Sequence, residues 1–356
     1  MGKWYSHEWH YVNACIMESY IKLYNITHEK KYADFVKSYV NKLFDKNDKP
    51  IGFNPKEYNI DQIKMTKVLL DLYQHFPEEK YISTAGDVFN QMKSYPRTKE
   101  GNFWHKQCYP NQVWLDGLYM GQPFYTQYLR DFCDKKLFDD SVIQFQICRK
   151  RLFNESLSLY MHGYDESKKS FWADKISGRS PSVWLRAIGW FCMALVDVIE
   201  IINEDENGTA ILAGLFSELA GGLLHYRHKC GMWYQVPDQG ARGANYLETS
   251  GSAMIAYGLL KACRLGIEPR ESALRGIETI KAIMTTYIHE ERGEILLGGI
   301  CRSAGLGIHP ELGRRRDGSF RYYTEEEEIC ENNGHGTSPL FMAYGEYLIL
   351  KKQKVL

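Results

Sequence analysis

Tyr32-Ala33-Asp34-Phe35-Val36-Lys37-Ser38-Tyr39-Val40-Asn41-Lys42-Leu43 places apolar side chains at 32, 35, 36, 39 and 43. That spacing is one face of a 3.6-residue helix. The same period surrounds it: Tyr11, Ile16, Tyr20 and Leu23 come before, and Ile63, Val68, Leu69, Leu72, Val88, Phe89 and Met92 after. Further helices are predicted over 112–132, 138–154, 182–203, 209–228, 245–265, 270–289 and 336–351. Turn-forming runs such as Lys46-Asn47-Asp48-Lys49-Pro50, the stretch from Pro96 to Gly101, Pro237-Asp238-Gln239-Gly240 and Gly266-Ile267-Glu268-Pro269 punctuate the pattern. About eleven helices, repeating as hairpins of roughly 50 to 70 residues and with no long strand alternation, predict an all-α barrel or toroid in one domain spanning 1–356. Two long connections, near 155–181 and 290–335, carry Gly, Ser, His, Trp and Asp instead of periodic apolar residues. Loops of that length serve function, and both are expected to rim one mouth of the barrel.

Bulk composition excludes several classes. The 44 basic and 44 acidic residues of this 356-residue chain cancel, and the isoelectric point is near 7.1. No net field therefore draws a phosphate backbone or an anionic membrane, so neither nucleic acid nor membrane is an expected partner. Aromatic residues reach 14%; they serve either sugar stacking or the packing of bulky helices. The nine cysteines form no C-x-x-C pair, which predicts reduced thiols and a cytoplasmic protein. His225-x-x-His228-x-Cys230 is the nearest approach to a ligand cluster, but it reads as a basic helix end, and no metal or cofactor is expected. The amino terminus lacks the apolar segment of a signal peptide, and no later stretch approaches the ~20 uncharged residues of a membrane span. Met1-Gly2 with Ser6 fits a myristoylation pattern too short to carry weight. The acidic run from Glu325 to Glu328 reads as a solvated turn.

Chemistry concentrates in His105-Lys106-Gln107-Cys108-Tyr109-Pro110-Asn111-Gln112-Val113-Trp114-Leu115-Asp116-Gly117-Leu118-Tyr119-Met120. A lone carboxylate among aromatic and sulfur side chains is either paired structurally or works as an acid. Near a helix amino end the dipole lowers its pKa while apolar burial raises it. If burial dominates, Asp116 is a proton donor near neutral pH; otherwise it is a helix-terminal structural carboxylate. Asp61, in Asn59-Ile60-Asp61-Gln62, reads either as an N-cap or as a second carboxylate in a different environment. His162-Gly163-Tyr164-Asp165-Glu166 and Phe171-Trp172-Ala173-Asp174 occupy the first long loop. Arg186 and Trp190 are four residues apart on one helix face, where the guanidinium can lie along the indole and still offer its fork to an anionic sugar, or simply buttress packing.

Taken together, these segments resemble glycoside hydrolase family 105, the unsaturated rhamnogalacturonyl hydrolases, and more distantly the unsaturated glucuronyl hydrolases. Besides those already quoted, the matching stretches are Phe103-Trp104-His105-Lys106, Trp184-Leu185-Arg186-Ala187-Ile188-Gly189-Trp190, Ala304-Gly305-Leu306-Gly307, Arg316-Asp317-Gly318-Ser319 and Glu331-Asn332-Asn333-Gly334. The resemblance implies an (α/α)6 barrel of twelve helices without a metal. It also implies attack on the 4,5-unsaturated uronic acid that a polysaccharide lyase leaves at a chain end. Position by position, it puts the general acid/base on Asp116, and substrate contacts on Asp61, His105, Lys106, His162, Trp184, Arg186 and Trp190. Arg186 and Lys106 would face the substrate carboxylate, and Trp184 and Trp190 would stack on sugar rings. The implied acid protonates C4 of an enol ether, so one good acid matters more than a matched pair of carboxylates.

Two departures from the family pattern stand out. The family's first helix is missing ahead of Trp4-Tyr5, and Leu185 replaces a glycine common in relatives, which would narrow the subsite beyond the unsaturated sugar. Rival readings are a glucuronyl hydrolase acting on another lyase product, a non-catalytic toroid that binds oligosaccharide or protein, and a zinc-dependent barrel enzyme.

Overall fold

The computed structural model describes residues 8–133 and 138–356. The myristoylation-like pattern and Trp4-Tyr5 lie outside the described residues. Eleven α-helices are present among those described: α1 (Tyr11–Thr27), α2 (Lys30–Asn41), α3 (Ile60–His75), α4 (Glu79–Lys93), α5 (Leu115–Phe132), α6 (Phe138–Leu152), α7 (Leu185–Ile201), α8 (Glu206–His225), α9 (Thr249–Arg264), α10 (Arg270–Tyr287) and α11 (Gly334–Lys352). The odd-numbered helices form an inner ring in which each packs on the next, and α11 closes it against α1. Even-numbered helices lie outside, each against the inner helix that precedes it. Inner and outer helices differ in burial as this arrangement requires. α7 and α9 are buried almost all round, whereas α2 and α4 bury one stripe.

The chain therefore forms the expected helical toroid. Its inner ring is complete, but no helix among the described residues fills the outer position between α11 and α1.

Besides short helical turns at Pro55–Glu57, Pro237–Gln239 and Tyr322–Glu326, the described residues form five short antiparallel strand pairs. β1 (Gln112–Trp114) pairs with β4 (Gly163–Asp165), and β2 (Phe153–Asn154) with β3 (Leu159–Tyr160). Farther along, β5 (Ile288–Glu291) pairs with β6 (Glu294–Leu297), β7 (Ile300–Cys301) with β10 (Ile329–Cys330), and β8 (Gly307–Ile308) with β9 (Arg315–Arg316). Both long connections carry such pairs. One boundary is corrected by this: residues 112–114, expected as the start of a helix, are strand. Asn111 adopts φ of 63°, turning the chain so that Gln112–Trp114 pairs with β4 before α5 begins at Leu115.

Two smaller expectations also change. Glu327 is buried, gripped by Arg314 at 2.7 Å and by the Tyr322 hydroxyl, so the acidic run is not all solvated. α8 is long and apolar enough, by length and composition, to cross a membrane. Here it is an outer helix whose Glu218 pairs with Arg149 of α6 at 2.8 Å.

Candidate active site

All six inner helices start at the same end of the barrel. The second residue of five of them is chemically distinctive: Asp61 of α3, Asp116 of α5, Arg186 of α7, Ser250 of α9 and His335 of α11. Helix amino ends carry unsatisfied N–H groups and a positive dipole, so their convergence favours anionic groups there. Two aspartates, Asp61 and Asp116, line one cavity of about 240 Å³ at this mouth, with His10, Tyr11, His105, Lys106, Tyr109, Trp114, Glu311 and Arg316 among its walls.

Main-chain bonds hold the two carboxylates in place. Ile60 N donates to His105 O at 3.1 Å and His105 N to Gln112 O at 2.7 Å, tying the first turn of α3 to the segment that leads into α5. Asn59, not Asp61, caps α3, with its side chain accepting from Asp61 N at 3.1 Å; the carboxylate is left free for another role. It takes Lys106 Nζ at 2.7 Å and lies 3.8 Å from His105 Nε2. Burial opposes ionisation of Asp61, yet the Lys106 ammonium and the His105 ring hold its pKa below the ordinary value. Burial pushes His105 down to about 4, so this ring is neutral at pH 7. It stacks on Trp114 at 4.1 Å with 19° between the planes.

Asp116 has different company. The β1–β4 pairing and the bond from Leu115 N to His162 O, 3.0 Å, bring His162 beside the first turn of α5. His162 Nε2 stands 3.1 Å from Asp116 Oδ2 but off the direction a hydrogen bond needs, so neither atom is hydrogen-bonded among the described residues. On the far side of the ring, Nδ1 lies 2.6 Å from the Tyr323 hydroxyl. With Tyr323 as the donor, Nδ1 accepts and the ring proton sits on Nε2, on the Asp116 side of the ring. Trp184 stacks flat on Tyr323, 5.6 Å between centroids and 3° between planes, and fixes that ring.

The structure places the remaining expected residues less evenly. Trp184 and Trp190 are almost fully buried and do not border the cavity. Trp190 lies four residues beyond Arg186 in α7, about 6 Å deeper, and stacks on Tyr119 at 4.9 Å. The Arg186 guanidinium lies over Trp184 at 4.7 Å instead of along Trp190. Its Nη1 donates to Cys301 O and, at 3.3 Å, to Ser250 Oγ, while Nε has no hydrogen-bond partner among the described residues. Arg186 thus sits behind the cavity wall. Leu185 packs against α9, where a Cβ on Gly251 would come within 2.5 Å of its Cγ; it does not border the cavity or narrow a subsite there.

Sequence reasoning missed other wall residues. Trp114 is the tryptophan that lines the cavity, stacked on Tyr109 at 5.2 Å. Arg316 reaches the same wall, bonding Tyr109 Oη at 2.8 Å and Leu306 O at 2.9 Å. Gly305 is required beside it, since a Cβ there would stand 2.6 Å from the guanidinium. Tyr11 is held by its hydroxyl, 2.8 Å from His335 Nε2, whose own Nδ1 faces Asn333 Oδ1 at 2.8 Å. Arg316 and Trp114 stood within quoted segments, and only their placement was illegible. His228 Nδ1 and Cys230 Sγ lie 3.0 Å apart, and among the described residues no three His, Cys, Asp or Glu side chains are grouped to hold a metal ion.

Residues 3–351 match the family described as Glycosyl Hydrolase Family 88. The chain belongs to that family. Family 88 membership makes it a glycosidase of the unsaturated uronyl hydrolase kind, with an oligosaccharide as substrate. It is similar to a family 105 glycoside hydrolase from Clostridium acetobutylicum, with 39% identity and a TM-score of 0.92, covering 96% of this chain and 94% of that one. It is also similar to the unsaturated rhamnogalacturonyl hydrolase YesR of Bacillus subtilis, 22% identical over 76% of this chain and 75% of YesR. An unsaturated glucuronyl hydrolase from a Bacillus species shares the fold, with 15% identity and a TM-score of 0.68 over 97% of this chain and 87% of that one.

Proposed function

We propose that the protein releases 4,5-unsaturated galacturonic acid from the non-reducing end of lyase-generated rhamnogalacturonan oligosaccharides, with Asp116 as the acid. The observation that carries this reading is the contrast between the two cavity aspartates. Asp61 is tied to Lys106 at 2.7 Å, whereas Asp116 Oδ2 has no hydrogen bond among the described residues. The likeness to YesR supports the choice of aglycone.

In this reading Asp116 delivers a proton to C4 of the enol ether, and the positive charge that develops at C5 is shared with the ring oxygen. Water adds at C5 and returns a proton to the Asp116 carboxylate. The resulting hemiketal opens, leaving a keto group at C5 and a hemiacetal at C1 that expels the aglycone alcohol. Lys106 and Arg316 hold the substrate carboxylate from the cavity wall, with Arg186 adding charge from behind it. Trp114 supplies the aromatic face. His105 and Asp61 meet ring hydroxyls, His162 orients Asp116, and Trp184 and Trp190 support the wall from beneath.

The experiment follows loss of the enol-ether ultraviolet absorbance on two disaccharides, unsaturated galacturonyl-rhamnose and an unsaturated glucuronyl product of a glycosaminoglycan lyase. Faster loss on the first, abolished in Asp116→Asn, is expected. Preference for the second overturns the aglycone assignment; undiminished turnover in the variant overturns the acid.

A further inference from the structure

Five outer helices cover five of the six grooves between neighbouring inner helices, and the sixth, between α11 and α1, has no helix over it among the described residues. What faces outward there is apolar. On α11 the residues Thr337, Phe341, Tyr344 and Leu348 recur at helical spacing along one stripe. Phe341 is 41% and Tyr344 42% exposed. Tyr20 of α1 meets Phe341 at 6.5 Å and Phe35 of α2 at 5.0 Å, extending one aromatic patch across three helices. Beside its upper end opens a groove of about 800 Å³ reaching Ile329 and Leu296. Elsewhere on the barrel wall such side chains lie under an outer helix.

Charge at the two ends of this strip is opposite. Its upper end, by the rim, is walled by Glu294, Glu328 and Glu331, with Arg302 already bound to Glu328 at 2.8 Å. At the lower end Lys351 and Lys352 continue the α11 stripe, both exposed. Phe341 lies near the midpoint of that span. A strip that is acidic at one end, basic at the other and aromatic at its centre is complementary to itself after a half-turn about its middle.

We propose that this face is the interface of a two-fold dimer, in which a second copy of the chain lays its own α11 antiparallel across the strip. Phe341 and Tyr344 of both copies then meet at the axis, and Lys351 and Lys352 of each reach Glu294 and Glu331 of the other. The size is adequate: a 19-residue helix is about 28 Å long, and with a neighbouring helix presents on the order of 600 Å² in projection, near the ~800 Å² per partner of a standard interface. The contact lies on the barrel wall, so both mouths stay open to substrate.

Sedimentation or light scattering of the full chain tests this. The expected result is a particle of twice the 41.4 kDa chain mass that loosens as salt is raised. Phe341→Asp should give monomer with unchanged circular dichroism. The double variant K351E/K352E should weaken the dimer at least tenfold, and adding E294K/E331K on the same chain should restore it. Monomer at every concentration, a dimer indifferent to Phe341→Asp, or a different bound polypeptide covering this face would each overturn the proposal.

Discussion

The barrel has a polar cavity at each end, about 240 Å³ around Asp61 and Asp116 at the amino ends of the inner helices and about 260 Å³ at their carboxyl ends, and their side chains behave oppositely. At the carboxyl end every acid named below has a short partner. Glu346 takes Lys22 at 2.5 Å and Arg264 at 2.6 Å; Glu200 takes Lys261 at 2.6 Å and Arg264 at 2.8 Å; Asp197 takes Lys261 at 2.7 Å and the Tyr257 hydroxyl at 2.6 Å. Burial opposes ionisation of Glu346, and Lys22 and Arg264 hold its pKa below the ordinary value. Exposed helix carbonyls attract cations there, and the cations attract acids. At the amino end, by contrast, Asp116 Oδ2, His162 Nε2, His105 Nδ1 and Arg186 Nε are buried without hydrogen bonds among the described residues. Buried charge alone does not mark a site. A satisfied network holds the fold, while buried polar atoms without partners are placed for a ligand to complete.

Substitutions that exchange the roles of the two ends break or sharpen this contrast. The largest effect is expected from Asp116→Asn, which should lower kcat by about two to four orders of magnitude and leave the melting temperature unchanged or higher. A fall in stability with intact turnover would make Asp116 an ordinary structural carboxylate. Glu346→Gln should do the reverse, since it leaves Lys22 and Arg264 facing a neutral side chain. The expected loss is about 3 to 5 kcal/mol in denaturant unfolding, with kcat within about twofold of the parent.

pH supplies an intermediate effect. Burial depresses His105 to about 4, while the unfolded ring titrates near 6.5. Below 6.5 the unfolded chain binds a proton that the folded ring refuses, so the stabilisation present above 6.5 is lost as pH falls toward 4. Between pH 7 and pH 5 this amounts to about 2 kcal/mol, and it should be missing from the pH-dependent melting of His105→Gln. Equal pH slopes in the two proteins would remove His105 as the cause. The smallest change belongs to Tyr323→Phe. Removing the hydroxyl 2.6 Å from His162 Nδ1 should lower kcat about fivefold, displace the pH profile of kcat and spare KM. A KM change with an unmoved profile would mean that Tyr323 only packs.

Much of this was legible before the fold was known. The period of Tyr32, Phe35, Val36, Tyr39 and Leu43 is realised in α2 and its exit, and the expected spans near 138–154 and 270–289 fall on α6 and α10. Asp116, Asp61, His105 and Lys106 do share one cavity. Tyr323 and Arg316 were not assigned a role, because each meets its partner across more than 150 positions of sequence, as Tyr323 does with His162 and Arg316 with Tyr109. The expected Arg186–Trp190 pair failed for a related reason. Helical spacing says that two side chains share a face, but Trp184, just ahead of the first turn, competes for the guanidinium and wins it.

What the amino-acid order determined by itself was the helical period, the turns between helices and the family to which the site segments belong, because each is written in residues close along the chain. Only the tertiary structure decided which carboxylate is paired, which tryptophan faces the cavity and which groove has no helix over it among the described residues. Those outcomes depend on closing the inner ring. That closure brings the starts of six separate helices to one point and leaves each charge with whatever partners the other five supply.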